Sequence, residues 1–164
     1  MTCTDEDLRQ LAQALGDALL RHGHFLATAE SCTGGWISAA VTAVAGSSAW
    51  FDRGFITYSN AAKVDMLGVA EATLIEFGAV SEATVAEMAR GALTRSEAGI
   101  SVAVSGIAGP GGGSAAKPVG MVCFAWACKD GRARAFTLHF EGDREAVRRQ
   151  TVAHALRELH AALA

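Results

Sequence analysis

Ser31 stands where an apolar run, residues 25–30, meets a pair of glycines, in Thr28-Ala29-Glu30-Ser31-Cys32-Thr33-Gly34-Gly35. The pattern predicts a strand turning sharply into a helix, with the serine at the junction. Ligands of open α/β sheets gather at the carboxyl ends of strands. A helix start adds unpaired N–H groups and a partial positive charge, which suit a phosphate or a developing oxyanion. Gly34 and Gly35 let another group approach the backbone closely. On local pattern alone, Ser31 and Thr33 also read as helix N-caps, and Glu30 as a solvated or capping carboxylate. Cys32 is a rival nucleophile, because a thiolate at a helix start is activated, and its competing reading is a buried thiol.

A serine hydroxyl is a weak nucleophile until a base takes its proton, and where no histidine serves, the usual base is a neutral lysine. No Ser-x-x-Lys follows Ser31, so a lysine partner has to come from elsewhere. Tyr58-Ser59-Asn60-Ala61-Ala62-Lys63 offers one, with Tyr58 at a strand end and Lys63 about a turn into a helix. Burial lowers the pKa of such an amine and makes it a base. Left in solvent, Lys63 is an ordinary helix lysine.

A third segment, residues 105–118, carries Gly106, Gly109, Gly111, Gly112 and Gly113, with Gly120 just beyond. It fits neither the G-x-x-x-x-G-K-[ST] nor the G-x-G-x-x-G phosphate loop. Its glycines can still present N–H groups to phosphate or ribose oxygens. The plainer reading is a surface loop stiffened by Pro110 and Pro118. Arg144 and Arg148 lie one turn apart near the start of the last helix, where cations oppose the dipole. An anion contact there competes with a surface salt bridge.

The elements that must position these residues follow from pattern. Thr4 and Asp7 suggest a capping box, and Leu8, Leu11, Leu15 and Leu19 continue at helical spacing until Gly23. Strands are expected at 25–30, 50–59, 100–104, 119–128 and 132–141, the last two joined through the Asp130-Gly131 turn. Helices are expected at 34–45, 60–67, 70–77 and from Ser81 to about residue 95, with a last one capped by Asp143. Helices alternate with the first three strands, and a hairpin and a helix finish the chain. That order predicts an α/β fold, a three-layer α/β/α sandwich on a mixed sheet of about five strands, in a single domain over 1–164. Trp36, Trp50 and Trp126 are expected in the core.

Composition narrows the class. A chain of 164 residues, 51% hydrophobic and 19% charged, can bury enough apolar surface to fold. Its net charge of −3 and its lack of Lys/Arg blocks outside Arg144, Arg148 and Arg149 give no footprint for nucleic acid. The longest uninterrupted run of large apolar residues, 121–128, is far short of a membrane span. The acidic residues 5–7 are unlike a signal peptide, so a cytoplasmic location is expected. The four cysteines form no C-x-x-C and share no ligand spacing with the histidines, so free thiols and no metal are expected. Eighteen glycines exceed the roughly 7% usual in proteins. The alanine excess reads as close-packed helices.

The three segments together resemble the nicotinamide-nucleotide amidohydrolases, the stand-alone form of the CinA C-terminal domain. The resemblance is carried by Thr28 to Gly35, by Tyr58-Ser-Asn-x-x-Lys63, by Val104-Ser-Gly-Ile-Ala-Gly-Pro-x-Gly-Gly113 and by Lys117-Pro-Val-Gly120, in order over nearly the whole chain. Ser105 departs from the commoner pattern, where a threonine is often seen, but keeps the hydroxyl. The resemblance implies hydrolysis of the carboxamide of nicotinamide mononucleotide to nicotinic acid mononucleotide and ammonia, in pyridine nucleotide salvage, without a cofactor. It implies Ser31 as nucleophile, Lys63 as general base and Tyr58 as a group that orients them or relays the proton. Substrate contacts are expected from Glu30, Thr33, Gly34, Gly35, Ser105, Gly106, Gly109, Gly112 and Gly113, with helix-start N–H groups near Thr33 to Gly35 holding the oxyanion. A homo-oligomer, in first place a dimer, is expected. The competing class is a nucleotide-binding or assembly module whose glycine loop grips a phosphate without turnover.

Overall fold

The computed structural model describes residues 2–164. Helix α1 (Asp5–His22) opens on the expected capping box, Thr4 with Asp7, and ends on Gly23 in the left-handed conformation. Strand β1 (Leu26–Glu30) follows, then α2 (Trp36–Thr42), a short 3₁₀ turn (Ser47–Ala49) and β2 (Phe51–Ile56). Three helices come next, α3 (Asn60–Leu67), α4 (Glu71–Phe77) and α5 (Glu82–Thr94). Strands β3 (Ile100–Gly106), β4 (Met121–Cys128) and β5 (Ala133–His139) lead to the last helix, α6 (Arg144–Ala162).

The sheet is mixed, in the order β2-β1-β3-β4-β5. β1 runs parallel to both β2 and β3, and β4 and β5 continue antiparallel. Because β1, β2 and β3 share a direction, their carboxyl ends lie side by side. The Ser31 N–H donates to the Val104 carbonyl and the Thr57 N–H to the Glu30 carbonyl, so the three chain exits are fixed to one another.

The two faces of the sheet differ in side-chain size. Leu26, Ile100, Val102, Val104, Val122 and Phe124 pack with α1, α2 and α6. Ala27, Ala29, Ala103, Ala125 and Ala127 face the other way, under Val85, Met88, Ala89 and Ala92 of α5. The alanine excess therefore serves one face of the sheet as well as the helices. In α5 a side chain on Gly91 would collide with the Leu67 carbonyl at the end of α3, which brings those two helices into contact. Cys123 lies on the alanine face and Cys128 on the opposite one, and all four cysteines are free thiols.

Some expectations need correction. Helix α2 begins at Trp36 rather than residue 34, because Gly34 and Gly35 take φ of +58° and +102°, outside the right-handed helix. β3 runs on through Ser105 and Gly106, which pair with Cys123 and Val122, so those two residues belong to the sheet and not to the glycine loop. Trp50 is core, while Trp36 and Trp126 are half-buried at its margin. Among the described residues, no helix is long and apolar enough to cross a membrane.

Candidate active site

At the end of β1 the chain makes a turn whose carbonyls at Ser31, Cys32 and Thr33 are all engaged. The Gly34 N–H donates to the Ser31 carbonyl at 3.0 Å, and the Trp36 N–H to the Thr33 carbonyl at 3.0 Å. Glu30, wholly buried, points at α2 and caps it from the strand. Its Oε1 accepts from the Ile37 N–H (2.8 Å) and the Thr33 hydroxyl (2.6 Å), and its Oε2 from the Ser38 N–H (2.9 Å) and hydroxyl (2.8 Å). Ordinarily the residue before the helix supplies such a cap, but here that residue is Gly35, which has no side chain. On the outer side of the turn, Arg148 of α6 donates Nε to the Cys32 carbonyl and Nη2 to the Thr33 carbonyl, each at 3.0 Å. The Trp36 ring lies 5.3 Å from this guanidinium, a cation–π distance.

Lys63 approaches from the opposite side. Ser59 caps α3 by accepting from the Ala62 N–H, and side chains in a helix lean toward its N-terminus. Lys63 therefore reaches back over the first turn to the strand ends. Its Nζ donates to the Thr57 carbonyl at 2.8 Å and lies 3.0 Å from Ser31 Oγ. Lysine at 1% exposure is rare, and burial pushes this amine below the ordinary lysine range. The charge of a Cys32 thiolate would work in the other direction, but that thiol is itself buried and pushed up to about 11. A buried amine held against a serine hydroxyl has the geometry that a base needs toward a nucleophile. Cys32, a rival on sequence grounds, is held as the protonated thiol.

Ser31 and Lys63 lie in a cleft of about 240 Å³ whose walls include Tyr58, Val80, Ser105, Gly106 and Arg144. Tyr58 stands at the rim, 61% exposed, and its hydroxyl accepts from Arg144 Nη2 at 3.0 Å rather than meeting Ser31 or Lys63. Arg144 Nη1 holds the Gly109 carbonyl at 2.8 Å. The two arginines that sequence left undivided thus part company, Arg144 facing the cleft and Arg148 gripping the turn. Arg144 was legible as a cation placed against a helix dipole. The Thr57 carbonyl and the apolar wall at Ala79, Val80 and Ala108 carried no signal in the sequence.

The residues expected to touch a ligand divide in the same way. Ser105 and Gly106 line the cleft. Gly109 is buried behind it, and Gly112 and Gly113 sit in the exposed part of the loop. Glu30 and Thr33 have no exposed surface and are bonded to each other, so they shape the turn instead of meeting a ligand. Gly34 and Gly35 supply its left-handed bends. Of the N–H groups at the helix start, Gly34 donates to Ser31, and Ile37 and Ser38 donate to Glu30. Among the described residues those of Thr33 and Gly35 donate to no oxygen, but they belong to residues outside the cleft lining. Cys32, the residue after Ser31, lines the cleft, and among the described residues its N–H donates to no backbone or side-chain oxygen.

Similar architecture and sequence occur in known proteins. The family model described as CinA C-terminal domain matches residues 8–163. The nicotinamide-nucleotide amidohydrolase PncC of Shigella flexneri is 55% identical over 95% of this chain and 94% of its own. The protein of that name from Pseudomonas putida is 54% identical over 92% of this chain and 94% of its own. The crystal structure of the competence/damage inducible protein CihA from Agrobacterium tumefaciens superposes with a TM-score of 0.93 at 48% identity, covering 99% of this chain and 98% of that one. With its segments in this order on this sheet, the chain belongs to the CinA C-terminal domain family.

Proposed function

We propose that the protein hydrolyses the carboxamide of nicotinamide mononucleotide to nicotinic acid mononucleotide and ammonia. The observation that carries this reading is the buried Lys63 Nζ at 3.0 Å from Ser31 Oγ, on the floor of an open cleft. The names of the close relatives supply the substrate class. Neutral Lys63 takes the Ser31 proton as Oγ adds to the carboxamide carbon. The Cys32 N–H donates to the oxyanion that forms, and a donor of this kind typically supplies about 3 kcal/mol. The C–N bond then breaks, and the amide nitrogen leaves as ammonia with the proton held by Lys63. Water attacks the acyl-serine and passes a proton back through Lys63, which frees Ser31 and the nicotinate carboxyl. Thr57 fixes the amine through its carbonyl. At the rim, Arg144, Tyr58 and the Gly106 backbone face the ribose phosphate, whose binding energy positions the amide for attack.

The test is ammonia release from nicotinamide mononucleotide by the native protein, Ser31→Ala and Lys63→Ala. Each substitution is expected to lower kcat at least about 10³-fold, as for other paired nucleophile–base sites. Nicotinamide without its ribose phosphate should be a poor substrate. Undiminished release by Ser31→Ala overturns the nucleophile assignment. Binding of the nucleotide in a calorimeter with no release by native protein overturns the enzyme reading in favour of a binding module.

A further inference from the structure

Arg148 is too far round the turn to face the cleft, yet its bonds lead there through two peptide units. A trans peptide directs its C=O and N–H in opposite directions. The Thr33 carbonyl, held by Arg148 Nη2, shares its peptide with the Gly34 N–H. That N–H donates to the Ser31 carbonyl at 3.0 Å. The Ser31 carbonyl in turn shares its peptide with the Cys32 N–H, which donates to no oxygen among the described residues and belongs to a residue of the cleft wall. A continuous line therefore runs from guanidinium to Thr33 C=O, Gly34 N–H, Ser31 C=O and Cys32 N–H. A permanent positive charge at one end of such a line polarises each successive bond, so the last N–H becomes a stronger donor.

We propose that Arg148 is a positioning residue that acts on the oxyanion donor of Cys32 through this chain. Nε on the Cys32 carbonyl keeps the intervening peptide from rotating, and the Trp36 ring braces the guanidinium. Arg148 touches neither substrate nor reacting atoms. Its effect falls on the transition state, where the oxyanion exists, and not on substrate binding. The inference rests on the reading of Ser31 as the acylated group.

The experiment compares native protein with Arg148→Gln, Arg148→Lys and Arg148→Ala, all checked for folding by circular dichroism, with Ser31→Ala assayed alongside. Arg148→Gln is expected to lower kcat by about tenfold to a hundredfold, part of what loss of a whole oxyanion donor costs, with KM for the mononucleotide unchanged. Arg148→Lys, which keeps the charge but not the fork, should fall between. Guanidinium ion at millimolar concentration should restore part of kcat to Arg148→Ala. In nitrogen-labelled Arg148→Lys without substrate, the Gly34 and Cys32 amide protons should move upfield, a readout independent of turnover. An unchanged kcat, a rise in KM alone, or unmoved amide protons overturns the inference. Retained turnover in Ser31→Ala would instead overturn the reading on which it rests, whatever the amide protons do.

Discussion

Two glycine-bearing segments flank the cleft, and they are built on opposite principles. In the turn from Ser31 to Gly35, hydrogen bonds from Gly34, Trp36 and Arg148 hold the Ser31, Cys32 and Thr33 carbonyls, and Glu30 holds the start of α2. The loop from Ile107 to Gly120 is tied mainly near its ends. The Ile107 N–H donates to the Met121 carbonyl and the Gly120 N–H to the Ile107 carbonyl, Arg144 holds Gly109, and Lys117 reaches the carbonyl of Phe77, while 110–116 lie exposed. Composition marks both segments alike. The difference teaches that glycine does two kinds of work here. In the turn it permits left-handed bends in a bonded frame that carries Ser31. In the loop it leaves backbone exposed beside the cleft.

The sharpest way to break the turn is to remove its buried carboxylate. Glu30→Ala would leave the Ile37 and Ser38 N–H groups and the Thr33 hydroxyl without acceptors in a dry site. Unmet buried donors cost about 1 to 3 kcal/mol each, and partial relaxation brings the expected loss to about 3 kcal/mol in all. Urea unfolding measures it. A loss below about 1 kcal/mol would show that α2 finds another cap and that the turn is less tightly determined than its bonds imply.

The lysine that serves this turn gives a second test, through pH. The proton must be off Lys63 for it to act as base, so kcat/KM should fall about tenfold for each pH unit below its pKa in the free enzyme. Burial lowers that pKa, so the ascending limb should lie below the ordinary lysine range. The same shift has a stability sign. Between the lowered folded pKa and the unfolded one, the unfolded chain binds more protons, so stability rises with pH. Lys63→Met should therefore be more stable than native protein at neutral pH, by a margin that shrinks as pH rises through that window. A margin independent of pH would mean that the amine is not desolvated.

How much of this was legible depended on whether the information was local. Caps at Thr4, Ser81 and Asp143 and the Asp130-Gly131 turn are short-range patterns, and their elements fall where those patterns put them. The five-stranded mixed sheet follows from their alternation. Ser31 and Lys63 are brought together by the shared direction of β1 and β2, which chemistry at two separate motifs could suggest but not locate. Glu30, a carboxylate beside a candidate nucleophile, reads in sequence both as a ligand contact and as a cap. Only the fold shows that it faces α2, whose own cap position is a glycine. Arg148 lies more than a hundred residues from the carbonyls it grips, and no spacing rule could reach it. Gly112 and Gly113 enter through the resemblance and the glycine surplus, neither of which registers that they lie in the exposed part of the loop.

Single glycines sharpen the contrast most finely. Gly35 has φ of +102°, and a side chain there would come within 2.9 Å of Ile56 Cδ1. The Ile56 side chain can yield, but the backbone cannot, so Gly35→Ala should cost about 1 to 2 kcal/mol. It should also lower kcat, because the strain falls in the turn that holds Ser31. Gly111 shows no positive φ and nothing within 4 Å of an added methyl group. Gly111→Ala should leave kcat and KM unchanged and shift stability by less than about 1 kcal/mol, in the stabilising direction, because it restricts only the unfolded chain. Thermal unfolding and steady-state kinetics on the two variants test the pair together. If Gly111→Ala raised KM while Gly35→Ala left kcat intact, the roles would be exchanged. The open loop would then be the more tightly determined partner of the substrate, and the bonded turn would be scaffold alone.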